Sequence, residues 1–129
     1  LKLLLDTHIW IWSLQGSDRL GKRTAHEIRN PLNERWLSPV STWEALTLHA
    51  KERIQLPEDI SAWVARSTAA FQEVPLTHEI ALAARCLPWD HNDPADRFLA
   101  ATAQVLGLTL VTADANLLGL GEISTLANR

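Results

Sequence analysis

The chain has little of what marks a secreted, membrane or cofactor-bearing protein. One cysteine, Cys86, occurs in 129 residues. It cannot form an internal disulfide, and a zinc site built on several cysteines is excluded. A reducing, cytoplasmic setting is the expectation. No apolar run nears the roughly 20 residues that a membrane-spanning helix needs. Asp6 and His8 interrupt the opening apolar stretch, so no secretory leader is expected there. Methionine is absent, and the initiating residue is expected to have been removed or to lie outside the numbering. Positive charge is also short: 12 Lys and Arg stand against 15 Asp and Glu, a net charge of −3. Such a protein does not hold nucleic acid by bulk charge. An enzyme that meets phosphates through bound metal ions stays open. Tyrosine is missing, while six tryptophans are present. Their wide spacing favours core packing over a base-stacking platform for Trp10, Trp12, Trp36, Trp43, Trp63 and Trp89. Gly119 and Gly121 lack the third glycine and following helix of a dinucleotide site, and read as a turn.

What is present is an ordinary globular composition, 47% hydrophobic and 21% charged. The length suits one domain, residues 1–129, with a core of its own. Leu1, Leu3, Leu4 and Leu5 form a short apolar run of the kind found in a buried parallel strand. Asp6 arrives where that strand stops. Thr7 to Leu14 reads as a helix, and Asn30-Pro31 ends a second helix that starts at Arg19 or Lys22. Arg19, Lys22, Arg23 and His26 share one face of it, which reads as solvated surface or as a track for phosphates. A second strand is expected near Arg35 to Pro39. Ser41 and Glu44 match a capping box, followed by a helix with Trp43, Leu46 and Ala50 inward. Another helix is expected over Glu58 to Phe71, and a short strand over Glu73 to Leu76. Thr77 caps a helix running to Cys86, which reads as a small buried residue.

The segment WDHNDPADRFLAATAQVLG is the second informative stretch. Asp93 precedes Pro94, so Asp93 is the natural cap and Asp96 falls in the first turn of an apolar helix. His91 reads as a loop residue. Gly107 ends that helix, Leu108 to Thr112 is a strand, and Asp114 follows at once. Glu122 to Leu126 adds a last strand. Strands alternating with helices predict an α/β fold with a mostly parallel central sheet between helical layers.

In that architecture the strand-to-helix junctions open on one edge, where ligands bind. Asp6 and Asp114 follow strands directly. Glu44 and Asp96 open helices that reach the same edge. Each acid has a capping explanation by itself. Four together, with Arg97 as the one adjacent base, point to a shared role. Clustered carboxylates raise one another's pKa, and a divalent cation removes that cost. Oxygen ligands without paired His or Cys point to Mg²⁺ or Mn²⁺. A metal so held lowers the pKa of bound water and neutralises charge on a phosphate, which suits phosphodiester hydrolysis. The competing reading is a non-catalytic interaction module whose acids act only as helix caps.

The segments LLLDTHIWIW, SPVSTWEALTLHAKERIQLP and DPADRFLAATAQVLGLTLVTADANL, in this order and spacing, resemble the PIN-domain ribonucleases, specifically the VapC-type toxins of toxin–antitoxin pairs. The resemblance covers nearly the whole chain and implies a three-layer α/β/α PIN-like fold. It implies a metal-dependent endoribonuclease with Asp6, Glu44, Asp96 and Asp114 as the catalytic and metal-binding acids. Asp6 and Asp96 would be primary metal ligands. Glu44 would bind metal or activate water, and Asp114 would complete the site. Mg²⁺ or Mn²⁺ as cofactor, an RNA substrate, a cognate antitoxin and a homodimer are further implications. Thr7, Ser41 and Thr112 are hydroxyl neighbours of these acids, with local backbone bonding as the simpler use.

Overall fold

Leu3, Leu4 and Leu5 expose no surface, because the strand they belong to is the middle one of five. The structure, a computed structural model, describes residues 1–129. In chain order the elements are β1 (Lys2–Leu5), α1 (Thr7–Gln15), α2 (Lys22–Arg29), β2 (Glu34–Leu37), α3 (Pro39–Ala50) and α4 (Ile60–Thr68). There follow β3 (Gln72–Glu73), α5 (His78–Cys86), α6 (Pro94–Leu106), β4 (Thr109–Thr112), α7 (Ala115–Leu118) and β5 (Ser124–Ala127). No helix is long and apolar enough to cross a membrane.

The strand order is β3-β2-β1-β4-β5, and every pair is parallel. The pleat sends Leu3 and Leu5 to one face, where they meet Ile9, Trp10, Ala45 and Trp63. Leu4 points to the other face, toward Ile80, Leu99 and Ala100. Burial on both faces explains why the opening run carries no polar alternation. The chain winds from β1 outward to β3, then crosses back to β4 and β5. That reversal opens a crevice at the carboxyl ends of β1 and β4. Helices cover both faces, as the sequence predicts for an α/β sandwich.

Four local expectations need correction. The first concerns the start of α3. Ser38, not Ser41, is its cap: the Ser38 hydroxyl oxygen accepts the Val40 N–H at 3.1 Å, and Pro39 is the first helical residue. Glu44 then lies in the second turn, and no capping box exists. The inward face is set by Ser41 and Ala45, small enough for α3 to approach α1 and α6. Trp43 is turned out and is 71% exposed. Replacing Ser38 by Ala should therefore lower stability by about 1 kcal/mol in urea denaturation, whereas Glu44→Gln should leave the helix start intact. An unchanged midpoint for Ser38→Ala would contradict this cap.

The second correction concerns the basic stripe. Arg19 precedes α2 and does not share its face. Gly21 stands at the N-cap of that helix, where any side chain would run into the Arg129 backbone. The Gly21 N–H donates to Asn128 Oδ1 at 2.8 Å, and Asn128 Nδ2 donates to the Arg19 carbonyl at 2.7 Å. Arg19 is thereby pinned near the sheet edge, while Arg23 lines a separate cavity with Arg129. The third correction is at Cys86, which is exposed. The strand β3 also stops before Pro75, which has no N–H to give to a ladder.

Candidate active site

Asp6 leaves β1 at the crevice. Its Oδ1 accepts the Thr7 N–H at 2.8 Å, and its Oδ2 accepts the Thr112 hydroxyl at 2.6 Å. Thr112 ends β4, and the same hydroxyl oxygen accepts the Asp114 N–H at 3.0 Å. One threonine thus couples the acid after β1 to the acid after β4. Asp114 Oδ1 accepts the Asn116 N–H at 2.8 Å and caps α7. The Thr7 hydroxyl donates to Glu44 Oε1 at 2.5 Å and lies 3.0 Å from Ser41 Oγ. These hydroxyls orient carboxylates, a use that the local-backbone expectation understated.

Asp96 enters from α6. Its neighbour Asp93 does the capping, accepting the Ala95 N–H at 3.0 Å. Asp96 is free of that duty and is 8% exposed. His91 Nε2 lies 2.7 Å from Asp96 Oδ2, so the loop histidine belongs to the site. The one sequence signal for it was its position five residues before Asp96, with a helix start between them. Arg97, adjacent to Asp96 in sequence, turns away from the acids. Its Nε donates to the Ala84 carbonyl, Nη1 to those of Trp89 and His91, and Nη2 to those of Arg85 and Leu87, at 2.8–3.2 Å. All five donors of the guanidinium are used on the backbone between α5 and α6. That backbone carries His91.

Asp6, Glu44, Asp96 and Asp114 line one cavity of about 390 Å³, together with Asp93, His8, Trp12 and Arg19. All four acids expected from the sequence are brought together, from elements spread over most of the chain. The tightest set of ligand atoms is His91, Asp93 and Asp96, within 4.8 Å of one another. Asp6, Glu44 and Asp114 lie outside that set, elsewhere on the cavity wall. Burial pushes the Asp6 carboxyl above the usual range, against the lowering effect of the Thr112 hydroxyl. Glu44 is raised by burial and by the charges of Asp6 and Asp93, with the Thr7 hydroxyl opposing. Asp96 is pushed up to about 6, mainly by burial and then by Asp93, Asp6 and Asp114, with His91 opposing. The basic side chains that line the cavity are Arg19 and His8, and His8 partly offsets the rise at Asp6 and Glu44.

A family model described as PIN domain matches residues 3–122. The chain belongs to the PIN domain family. This PIN domain is 33% identical over 116 residues to Ribonuclease VapC22 of Mycobacterium tuberculosis, covering 89% of this chain and 88% of that one. Its fold matches VapBC2 from Rickettsia felis bound to a DNA fragment from their promoter, with a TM-score of 0.73, 13% identity and 98% of each chain covered. DNA-bound VapBC from Salmonella typhimurium also gives 0.73, at 18% identity, covering 100% of this chain and 99% of that one. The resemblance read from the three segments therefore holds for family and fold.

The donor set of this PIN domain suits a hard divalent ion. Five carboxylates and two imidazoles, His8 and His91, meet no thiolate, and burial raises three of the acids although His8 or His91 opposes each rise. A cavity this wide also leaves room for the waters that Mg²⁺ retains.

Proposed function

We propose that this PIN domain is the toxin of a toxin–antitoxin pair and hydrolyses RNA phosphodiester bonds with Mg²⁺ or Mn²⁺. The observation that carries the reading is the meeting of Asp6, Glu44, Asp96 and Asp114 in one cavity at the switch between β1 and β4. Asp6 and Asp96 would hold the metal, with Thr112 and His91 fixing their free oxygens. Glu44, steadied by Thr7, would accept the proton of the attacking water or share in holding the ion. Asp114 would complete the shell. When bound, the ion supplies a water of lowered pKa and neutralises charge on the scissile phosphate. The amino end of α6 points its dipole at the same place and favours an anion there.

The ribonuclease name of the Mycobacterium tuberculosis relative supports the activity, and the toxin–antitoxin complexes among the fold relatives support an antitoxin partner. An antitoxin arginine entering this acidic cavity would block it. A homodimer and a cytoplasmic site of action complete the proposal. The competing reading, acids as caps only, draws on Asp6, Asp93 and Asp114, whose side chains do bond helix N-termini. It leaves Glu44 and Asp96 without a purpose, since neither caps anything.

The test is a titration of purified protein with Mg²⁺ or Mn²⁺ against total cellular RNA, with the cut sites mapped. Cleavage should appear with metal and vanish with excess EDTA. RNA that stays intact at saturating metal would end the nuclease reading.

A further inference from the structure

Trp43 is 71% exposed, although its helical spacing with Leu46 and Ala50 predicts a buried place. It stands one residue from Glu44, over a groove of about 670 Å³ between α3 and the amino end of α6. Val40, Thr47 and Phe98 line the groove, and Glu44 and Asp93 join it to the acid cavity. Lys51 and Arg53 lie on its far side, Lys51 about 10 Å along the α3 axis from Glu44. His8 and Arg53 also line a neighbouring pocket with Trp12 and Arg19. There the Arg19 guanidinium lies 6.0 Å from the Trp12 ring, and the His8 and Trp12 rings are 5.9 Å apart.

The charges around this groove are unspent. The ion pairs in the molecule are Arg66–Glu58 and His91–Asp96. Arg19, Lys51 and Arg53 therefore have no carboxylate partner, in a chain of net charge −3. Three cations without a carboxylate partner, the exposed indole of Trp43 and the half-buried indole of Trp12 surround a carboxylate cavity whose own charge repels phosphate. Aromatic faces for bases and cations for backbone are the composition of a single-strand binding surface. A duplex keeps its bases stacked inside, where an indole on a helix surface cannot reach them.

We propose that this groove holds single-stranded RNA beside the scissile phosphate, with one unpaired base stacked on Trp43 and the neighbouring backbone on Lys51 and Arg53. The proposal deepens the nuclease reading and rests on it for the position of the cut. It makes Trp43 a residue that selects unpaired RNA.

The experiment uses the full chain carrying Asp6→Asn, so that binding is read without cleavage. A short fluorescein-labelled oligoribonucleotide is titrated by anisotropy, alone and annealed to its complement. Adding Trp43→Ala should weaken single-strand binding roughly 5- to 150-fold, the range of one base–aromatic stack, and Trp43→Phe should restore most of it. Replacing Lys51 and Arg53 by Ala should lower the salt slope of single-strand binding by about 1.4. Duplex binding should not depend on Trp43. Equal single-strand affinity with and without Trp43 overturns the proposal, and so does an equal loss for duplex. A change confined to self-association or to capture of a protein partner overturns it as well. Cleavage of the same RNA by the parent chain is read separately. Cleavage with affinity indifferent to Trp43 removes the groove and keeps the nuclease. Trp43-dependent binding without cleavage removes the nuclease and keeps the groove.

Discussion

Asp96→Asn is expected to give a protein that no longer cuts RNA yet, without metal, resists unfolding better than its parent. The two effects have one cause. Asp96 is 8% exposed, shares a cavity with four other carboxylates and is pushed up to about 6 from 3.8. An acid raised on folding binds its proton more tightly in the folded state. Its share of stability is therefore greatest at low pH and is lost as pH rises from about 4 to about 6. Above that window the charged group destabilises the metal-free fold by up to about 3 kcal/mol. Asp6 and Glu44 are raised as well and act in the same direction.

Asparagine carries no charge and can still accept from His91, and Asp93 keeps the cap of α6. At pH 7.5 the variant should gain about 1–3 kcal/mol in urea denaturation, and its stability should lose the step between pH 4 and 6. Added Mn²⁺ should stabilise the parent and not the variant. Cleavage should fall by about 10²-fold or more, because a metal-held charge is worth several kcal/mol in the transition state. An acid acting only as a cap predicts the reverse sign, a loss of about 1–2 kcal/mol. A destabilised Asp96→Asn chain would therefore count against the metal site whatever its activity.

Arg97→Ala should be among the most damaging single changes outside the sheet. The side chain is 9% exposed and meets no carboxylate; its charge is balanced by five carbonyl dipoles. Those of Ala84, Arg85 and Leu87 belong to the carboxyl end of α5, where a cation is favoured and the last carbonyls lack helical partners. Removing the guanidinium leaves these acceptors buried and unmet, at an expected cost of about 3–5 kcal/mol. That is a large part of the 5–15 kcal/mol typical of a domain. Arg97→Lys should recover less than half of the loss, since an ammonium offers three donors and no planar fork. The readout is the urea midpoint of each variant. The histidine that contacts Asp96 rides on the same backbone, so Mn²⁺ affinity measured on the still-folded Lys variant should also drop. A midpoint equal to the parent's in Arg97→Ala would show that these contacts carry little.

How much was legible beforehand varies with the range of the interaction. Asp6 and Asp114 were readable because a carboxylate directly after a β-rich run has few places to go in a parallel sheet. Asp96 was readable through Asp93-Pro94, which fixes the helix start and so the turn on which it lies. Glu44 was expected in the first turn of its helix, with a capping box to Ser41 as the competing use. That box does not exist, and the proline at 39 with the serine before it held the true cap and puts Glu44 in the second turn. His91 and Arg97 were misjudged because their partners are backbone and side-chain atoms set by how α5 turns into α6. Spacing along the chain does not carry that information. Trp43 was assigned inward by periodicity, which cannot tell which of two apolar stripes on a helix meets the sheet.

By itself the order of residues determined the alternation of strands and helices, the parallel sheet and the identity of the acids. Those follow from short-range rules: apolar runs, caps and helix stops act within a few residues. The tertiary structure alone decided that β1 and β4 lie side by side, that five carboxylates share one cavity, and that the nearby cations stand unpaired around it. Such facts depend on which faces pack together, and burial of the whole core, not any local preference, settles that choice.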